Sequence, residues 1–344
     1  MNFSNAFGRK LPSFFPRKPF HWKKFAQRSI AIILLVTISL AVTVEIICRN
    51  IVRPSREKRS ETAEEILHAP HKHGMTIATG LLSPEGLPYL SCKPSLKYKG
   101  NSKKGNLLRT QLLKRGVVLQ NNNANDHFII LIHGHSSRGD ALLPVAERFC
   151  AIGFTCLIPD LPGHGSHPAK QTWFGNREAP LILSLLEHAA KEKSTHEPRA
   201  ALFGFSQGGA IALKAAAEYP DSFWAIGTLS TFSSLPRIMD EKASKLPGVS
   251  LLRPLVDWRL KQGYHFAPEA IQPWKDAQKI SQPIFLLHGD KDKLAAAYHS
   301  EHLFQEVSHP NKNIRIVPNA SHGNVLAKGH QVYADICEFY LNNI

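Results

Sequence analysis

Cysteine is scarce in this 344-residue sequence, and the positions of the few cysteines argue against two kinds of site. No two of the five form a C-x-x-C pair, and no histidine pair stands near them at the spacing of zinc ligands. Each lies in or at the end of an apolar segment, which predicts buried free thiols: Cys48, Cys92, Cys150, Cys156 and Cys337. The sequence therefore predicts neither a structural zinc site nor a cysteine nucleophile.

Acidic residues are absent before Glu45, although the same stretch holds seven basic ones: Arg9, Lys10, Arg17, Lys18, Lys23, Lys24 and Arg28. The formal net charge of the chain is +15, which is compatible with nucleic-acid binding. However, no helix-turn-helix, zinc-finger or RNA-binding signature accompanies the basic clusters. We therefore expect no nucleic-acid partner and interpret the basic residues as the flanks of a membrane segment.

Charged residues are also missing from positions 30–44, which are mostly Ile, Leu, Val and Ala. Extended to Cys48, this segment makes a helix about 28 Å long, close to the roughly 30 Å hydrocarbon thickness of a bilayer. Residues 29–48 are therefore predicted to form an uncleaved single-pass anchor after a basic segment at 1–28. A cleaved signal is disfavoured because positions 44–47 lack small residues. A lipoprotein signal is disfavoured because Ile46 and Ile47 precede Cys48.

The distribution of basic residues predicts an orientation and a domain order. The cationic excess before the anchor places the N-terminus in the cytoplasm and the rest of the chain on the opposite side of the membrane. Residues 49–73 are polar and charged, with a helical composition at 61–67, which predicts a stalk. Residues 74–344 are predicted to form the folded domain, with a small cap at 230–280, where the rhythm of strands and helices is interrupted.

Apolar strands alternate with amphipathic helices through most of the folded domain, which indicates a mostly parallel sheet covered on both faces. The predicted strands cover residues 75–81, 87–92, 116–119, 128–133, 154–159, 200–205, 225–229, 283–288 and 314–317. The predicted helices cover residues 141–152, 179–191, 207–218, 297–307 and 329–341, with shorter ones at 235–246, 251–262 and 268–277. A Lys- and Gly-rich stretch at 93–109 is predicted to be a mobile loop, and residues 121–126 a polar turn.

The strongest functional signal is the segment at 200–210, which reads Ala-Ala-Leu-Phe-Gly-Phe-Ser-Gln-Gly-Gly-Ala. An apolar strand leads into Gly-Phe-Ser-Gln-Gly, which fits G-x-S-x-G, and a helical pattern follows it. Strand, sharp turn and helix in this order form a nucleophile elbow, in which the serine hydroxyl is exposed above the sheet. Ser206 is therefore the candidate nucleophile.

Three further motifs follow predicted strands. His133-Gly134 ends one strand, a Gly-Asp-Lys-Asp turn at 289–292 follows another, and His322 stands in a small-residue loop before the last helix. Together with the G-x-S-x-G segment, these motifs resemble the α/β-hydrolase superfamily, in its membrane-anchored serine esterase, lipase or aminopeptidase-like branch. The resemblance covers residues 75–344 and implies an α/β-hydrolase fold with a small helical cap.

The resemblance also implies a role for each motif. In this family the acid follows the strand-end glycine by three positions, which selects Asp292 over Asp290. The base lies after the last strand, at His322, so that serine, acid and histidine follow one another along the chain in the order the family uses. The backbone N–H groups of His135 and Gln207 occupy the positions of the oxyanion hole.

Two other features are interpreted as structural. Asp160 opens a glycine-containing turn that resembles a further family motif, and we expect its carboxylate to hold that turn in place. Several aromatic residues near the cap are expected to form core rather than an acyl pocket: Trp173, Phe174, Trp258, Phe266 and Trp274.

These residues predict a serine hydrolase that cleaves carboxylic esters, including lipid acyl esters, through an acyl-enzyme. His322 takes the proton of Ser206 and Asp292 orients the imidazole, a mechanism that needs neither a metal nor an organic cofactor. Thioesters and peptide amides stay open as substrates, because the fold and the triad do not choose among them. The alternative from another functional class is a non-catalytic binding protein of the same fold, which the presence of all three residues disfavours.

Overall fold

The computed structural model of the chain describes residues 21–95, 97–98, 100–119, 127–191, 199–328 and 331–344. The chain divides into two compact units, Met1–Val44 and Glu45–Ile344. Helix α1 (Trp22–Val52) is long and apolar enough to cross a membrane, a property that it shares with signal sequences. Residues 1–20 of the predicted basic segment, the predicted turn at 121–126 and the predicted helix start at Gly329 lie outside the described residues.

Eight strands form one sheet among the described residues of the second unit: β1 (Met75–Leu82), β2 (Leu87–Pro94), β3 (Phe128–Ile132), β4 (Thr155–Pro159), β5 (Ala200–Phe205), β6 (Phe223–Leu229), β7 (Ile284–Gly289) and β8 (Lys312–Val317). Their spatial order is β1-β2-β4-β3-β5-β6-β7-β8. Strands β3 to β8 pair in parallel, whereas β2 pairs antiparallel with both β1 and β4. The loops that follow the parallel strands therefore meet at one edge of the sheet, where open α/β sheets bind ligands.

The helices of the second unit that follow α1 are α2 (Glu61–His68), α3 (Lys103–Lys114), α4 (Leu143–Ala151), α5 (Glu178–Lys191), α6 (Gln207–Glu218), α7 (Leu235–Ser244), α8 (Arg253–Tyr264), α9 (Pro273–Ala277), α10 (Tyr298–Glu306), α11 (Val325–Lys328) and α12 (Val332–Leu341). Side chains of α2, α3, α4 and α12 enter the buried cluster on one face of the sheet. Side chains of α5, α6, α9 and α10 enter the cluster on the other face. The predicted sheet with helices on both faces is confirmed.

Strand β3 shows why its sequence is apolar throughout. Ile129 and Leu131 point into one buried cluster, whereas Phe128, Ile130 and Ile132 point into the other. Because successive side chains of a strand point to opposite faces, a strand that is covered on both sides needs an apolar residue at every position. The same two-sided burial holds at all positions of β4 and β6.

The interval between β6 and β7 contains α7, α8 and α9 together with two 3₁₀ turns. Phe266 is buried there, as expected, but Trp258 has 62% of its surface exposed, which corrects its assignment to the core. The reason lies in helical spacing. Helix α8 buries Val256 and Leu260, four residues apart, and Trp258 projects from between them on the other side of the helix.

The Lys- and Gly-rich stretch that the sequence predicted to be a loop contains the first part of helix α3, which corrects that prediction. The hydroxyl oxygen of Ser102 accepts a hydrogen bond from the N–H of Gly105 at 2.8 Å and so caps the helix. Leu108 and Leu112 are buried one turn apart, but most of the other side chains of α3 are polar, so the composition does not reveal the helix. The predicted strand at 116–119 is also corrected, since these described residues form no strand.

The structure places the start of the second unit at Glu45, whereas the sequence predicted a stalk over residues 49–73. Helix α2 lies in this stretch and buries Ala63 and Ile66 in the core. Because this two-turn helix buries only two side chains, the rest of its sequence is mostly polar. A solvent-exposed stalk has a similar composition, so the sequence did not distinguish the two. Residues 45–73 are therefore part of the folded unit.

Replacing Ile66 by alanine removes packed atoms from the core, so the free energy of unfolding is expected to fall by about 2–5 kcal/mol. Glu65→Ala, at an exposed position of the same helix, is the matched control and is expected to change it by less than about 0.5 kcal/mol. Urea denaturation of the full chain in detergent measures both values. Equal losses of unfolding free energy in the two variants would contradict the packing of α2 and favour the predicted stalk.

Candidate active site

Ser206 stands in the turn between β5 and α6. Its φ of 53° and ψ of −115° form a conformation that persists in a residue with a side chain only when the surroundings hold it. Two hydrogen bonds do so. The N–H of Ser206 donates to the carbonyl of Leu229 at 2.8 Å, and the hydroxyl of Thr231 donates to the carbonyl of Ser206 at 2.8 Å.

The glycines on both sides of Ser206 are required because backbone packs directly on backbone here. A Cβ at Gly204 would lie 2.2 Å from the carbonyl oxygen of Gly208. A Cβ at Gly208 would lie 2.1 Å from the carbonyl oxygen of Ile132. The start of α6 therefore lies against the ends of both β5 and β3, and this is the strand, turn and helix that the G-x-S-x-G pattern predicts.

The structure brings the three predicted catalytic side chains together in one hydrogen-bonded row. His322 Nε2 lies 3.1 Å from Ser206 Oγ, and His322 Nδ1 lies 2.6 Å from Asp292 Oδ2. The ring of His322 also contacts the ring of Phe205, with 5.1 Å between the ring centroids. This row has a hydroxyl at one end, a carboxylate at the other and between them an imidazole that can take up the proton of the hydroxyl.

Asp292 follows β7, and its carboxylate is held from several sides. Its Oδ1 accepts hydrogen bonds from the N–H groups of Leu294 and Ala295, at 2.8 and 3.0 Å. Burial by itself raises the pKa of Asp292, but the hydrogen bonds from His288, His322 and the backbone outweigh burial and hold that pKa well below its ordinary value. Asp292 is therefore ionised at neutral pH, and its carboxylate can accept a hydrogen bond from His322.

Asp290, the other acid of this turn, lies differently. It is exposed, and its carboxylate is 3.9 Å from the ammonium of Lys291. Asp292, not Asp290, makes the hydrogen bond to His322.

His288 stands in β7, where it is fully buried and also contacts the carboxylate of Asp292. Its Nε2 lies 3.2 Å from Asp292 Oδ2 and 2.8 Å from the carbonyl of Ala295, and its Nδ1 lies 2.7 Å from Ser300 Oγ. The two oxygens near Nε2 indicate that this nitrogen carries the proton, with the Ser300 hydroxyl donating to Nδ1. Its contact with the acid was missed because a histidine at a strand end has no distinguishing local pattern.

His135 follows Gly134 in the loop after β3, beside the start of α6. Its ring is stacked on Phe174 with 5.6 Å between centroids, and Phe174 in turn contacts Phe266 at 5.7 Å. Burial lowers the pKa of His135 to about 4, so the ring is neutral at neutral pH. Phe174 thus belongs to the buried core, as expected, but to the part of it that lies beside the site.

Gln207 is the first residue of α6, and the first N–H groups of a helix have no partner within the helix. Its side chain points away into a buried contact, since its Nε2 donates to Thr172 Oγ1 at 2.6 Å. The Thr172 hydroxyl in turn donates to Glu178 Oε1 at 2.9 Å. Thr172 is a further residue that the sequence gave no reason to select.

Asp160 holds the turn after β4, as the sequence predicted. Its Oδ1 accepts a hydrogen bond from the N–H of Gly139 at 2.7 Å, and its Oδ2 accepts from the N–H and hydroxyl of Ser166, both at 2.7 Å.

Within the part of the chain that the structure describes, no group of three or more His, Cys, Asp or Glu side chains could hold a metal ion. All five cysteines are buried and free, as predicted.

Residues 147–344, more than half of the chain, match the Prolyl oligopeptidase family (Peptidase_S9). Serine hydrolase BPHL of Mus musculus is 24% identical over 229 residues, which cover 57% of this chain and 73% of that protein. Thermostable monoacylglycerol lipase of Bacillus sp. is 23% identical over 219 residues, which cover 56% of this chain and 82% of that protein.

Solved structures show the same fold. An esterase of Pyrococcus furiosus superposes with a TM-score of 0.60 at 18% identity, covering 85% of this chain and 97% of the esterase. A membrane phospholipase A, described as a bacterial virulence factor, superposes with a TM-score of 0.51 at 15% identity, covering 94% of this chain and all of the phospholipase. The chain therefore has the α/β-hydrolase fold.

Burial of histidines around the site makes stability depend on pH. Burial lowers the pKa of His135 to about 4 and that of His164 to about 3, below the value of about 6.5 that histidine has in an unfolded chain. Their contribution to stability is therefore complete above about pH 6.5 and is lost as the pH falls toward the folded values. The free energy of unfolding is expected to decrease as the pH falls from about 6.5 to 4.5, by up to about 1.4 kcal/mol per pH unit for each such histidine.

Urea denaturation of the full chain across this range measures that slope. His164→Phe removes one titrating group and is expected to reduce the slope by about one proton. An unchanged slope would contradict a neutral, buried His164.

Proposed function

The chain belongs to the prolyl oligopeptidase family, whose match covers more than half of it, and we propose that it is a serine hydrolase that cleaves carboxylic esters. The observation that carries this proposal is the row of two hydrogen bonds from Ser206 Oγ to His322 and from His322 to Asp292. A serine hydroxyl is a weak nucleophile at neutral pH, and a neighbouring imidazole with an oriented tautomer is the arrangement that activates it.

The proposed reaction proceeds through an acyl-enzyme. Ser206 Oγ attacks the acyl carbonyl while His322 Nε2 takes its proton, and His322 then donates this proton to the leaving alcohol. Asp292 accepts the hydrogen bond from Nδ1–H of His322, which leaves Nε2 free to accept a proton, and it stabilises the imidazolium. A water molecule deacylates Ser206 by the same route.

The backbone N–H groups of His135 and Gln207 are proposed to bind the oxyanion. The loop after β3 and the start of α6 adjoin, since a Cβ at Gly208 would meet the carbonyl oxygens of Ile132 and His133. Gln207 heads a helix, whose N-terminal dipole favours negative charge. Removing one such donor from a hydrolase typically costs about 10²–10³ in kcat, so the alignment of this pair matters.

An ester with an apolar acyl group is the proposed substrate class. Relatives and structural neighbours are described as a serine hydrolase, a monoacylglycerol lipase, an esterase and a membrane phospholipase. A peptidase or a thioesterase of the same fold is the alternative, and the name of the family favours the peptidase.

We also propose that helix α1 is an uncleaved single-pass membrane anchor, with the N-terminus in the cytoplasm and the catalytic unit on the opposite side. Large apolar side chains of this helix are exposed rather than packed: Ile30, Ile32, Ile33, Leu34, Leu35, Val36, Ile38, Leu40 and Val42. Surface of this kind is buried by lipid or by a partner, and its length suits a bilayer. An anchor of this kind would give the enzyme access to lipid or lipophilic esters.

Labelling by a fluorophosphonate probe tests the proposed chemistry on the full chain in detergent. Ser206→Ala is expected to abolish labelling, and His322→Ala and Asp292→Asn are expected to lower hydrolysis of a p-nitrophenyl ester by about 10³-fold or more. Asp290→Asn is the matched control, because this exposed neighbour does not contact His322, and it is expected to retain activity. A folded wild-type chain that neither labels nor turns over would overturn the proposal and favour the binding protein.

The same wild-type protein, given an ester, a thioester and an anilide with one acyl group, reports the bond that is cleaved. We expect the ester to have the highest kcat/KM and a longer acyl chain to raise it. Faster turnover of the anilide would favour the peptidase alternative.

Extraction of membranes with alkaline carbonate tests the anchor. The full-length chain, identified by intact mass, is expected to stay in the membrane pellet, because a spanning helix is not released by charge or pH. A shorter chain that lacks residues 1–44 would identify a cleaved signal instead.

A further inference from the structure

The segment of residues 45–59, here named the brace, directly continues the apolar part of α1 and belongs to the second unit. It begins at Glu45, whose carboxylate accepts hydrogen bonds from Arg259 at 2.7 Å and from the Tyr264 hydroxyl at 2.5 Å, both on α8. Its helical part ends at Val52, because Pro54 disfavours helical backbone at the residue before it. The last carbonyls of a helix have no partner within it, so they are free to accept hydrogen bonds from elsewhere.

The carbonyl of Ile51 is held by the ring of His135. The distance from His135 Nε2 to this oxygen is 3.0 Å, and Ser136 Oγ lies 3.2 Å from Nδ1 of the same ring. A carbonyl can only accept, so Nε2 carries the proton and Nδ1 accepts from the serine hydroxyl. The neutral ring thus joins the brace to the residue whose backbone N–H is the first proposed oxyanion donor.

The carbonyl of Val52 is connected to the second proposed donor. It accepts a hydrogen bond from the N–H of Thr172 at 2.9 Å. The hydroxyl of Thr172 accepts from Gln207 Nε2 at 2.6 Å, and Gln207 supplies the other N–H. Consecutive carbonyls at one helix end are therefore linked, one directly and one through Thr172, to the two residues of the oxyanion hole.

The rest of the brace holds the loop that carries His135. The N–H of Glu57 donates to the carbonyl of Ser136 at 3.4 Å. Arg59 pairs with Asp140 at 2.8 Å, and Asp140 is almost fully buried. The loop after β3 is thus held by the brace on its ring side and on its backbone side.

Arg56 attaches the brace to the turn after β4. Its Nη2 donates to the carbonyls of His167 at 2.7 Å and Ala169 at 2.8 Å, and its Nη1 donates to the carbonyl of Gly165 at 3.3 Å. The guanidinium of Arg56 is planar and rigid, so donating to three carbonyls of this turn fixes the turn relative to the brace.

We propose that the brace is a positioning element of the active site: the carbonyls of Ile51 and Val52 hold His135 and Gln207, so that their N–H groups converge on the oxyanion. This inference rests on the proposed hydrolase function and extends it, because it makes catalysis depend on the brace, which follows the apolar part of α1. The brace does not touch the reacting atoms. It acts only through the residues that carry the oxyanion donors.

Three substitutions in the full chain interrupt the brace at separate points. His135→Phe keeps a planar ring on Phe174 and removes the donor to Ile51. Thr172→Val removes the acceptor for Gln207 and keeps the N–H to Val52, whereas Thr172→Ser restores that acceptor. Arg56→Ala releases three carbonyls, and Lys58→Ala, at an exposed position of the same segment, is its matched control.

The readout is the kcat and KM of ester hydrolysis together with the rate of fluorophosphonate labelling. Misplaced oxyanion donors weaken binding of the transition state and not of the substrate, so His135→Phe, Thr172→Val and Arg56→Ala are expected to lower kcat about 10- to 100-fold with little change in KM. Thr172→Ser and Lys58→Ala are expected to keep the wild-type kcat. His135→Phe and Arg56→Ala are expected to combine less than additively, because both act through one segment.

The outcomes separate the two proposals. A wild-type chain without activity overturns the hydrolase function before the brace is tested. An active wild-type chain whose folded Thr172→Val and Arg56→Ala variants retain its kcat overturns the brace alone. Variants that lose only thermal stability, or that change only KM, also overturn the brace proposal. A contact with a purely structural role would change those quantities and leave kcat unchanged.

Discussion

The backbone turn at Ser206 is the constraint on which the rest of the site depends. Its positive φ is unfavourable for a serine. Hydrogen bonds of the Ser206 backbone with Leu229 in β6 and with Thr231 in the loop that follows offset this cost. The turn is possible only because Gly204 and Gly208 let α6 lie against two strand ends. The same close approach that exposes the hydroxyl also brings the start of α6 beside the loop after β3.

The proposed acid and base, Asp292 and His322, are positioned by a different principle, the satisfaction of a buried charge. Removing the Asp292 carboxylate from water is unfavourable, and two backbone N–H groups and two histidines offset this cost. Because His288 is itself held by Ser300 and the carbonyl of Ala295, the carboxylate has little freedom to rotate. The orientation of His322 is therefore fixed by a network that extends well beyond the three proposed catalytic residues.

The fold was predictable from the sequence where one segment carries its own pattern. Strand β5 and helix α6 have the predicted bounds, since the apolar run, the G-x-S-x-G turn and the alanine-rich helix are all local. The packing of α2 into the core and the existence of α3 were not predicted, for the opposite reason. Each buries only a few side chains, so its sequence is polar enough to be taken for a stalk or a loop. Whether such a helix packs depends on the apolar surface that the rest of the chain provides.

The sequence by itself determined the candidate serine, acid and base, because Ser206, Asp292 and His322 each follow a strand in a turn with its own residue pattern. Only the tertiary structure decided what holds the proposed oxyanion donors. The contacts of Ile51 and Val52 are made by backbone carbonyls, which every residue possesses, with partners far away in the chain. An interaction that uses no particular side chain and no fixed spacing leaves no trace in a sequence, and it becomes visible only when the chain is folded.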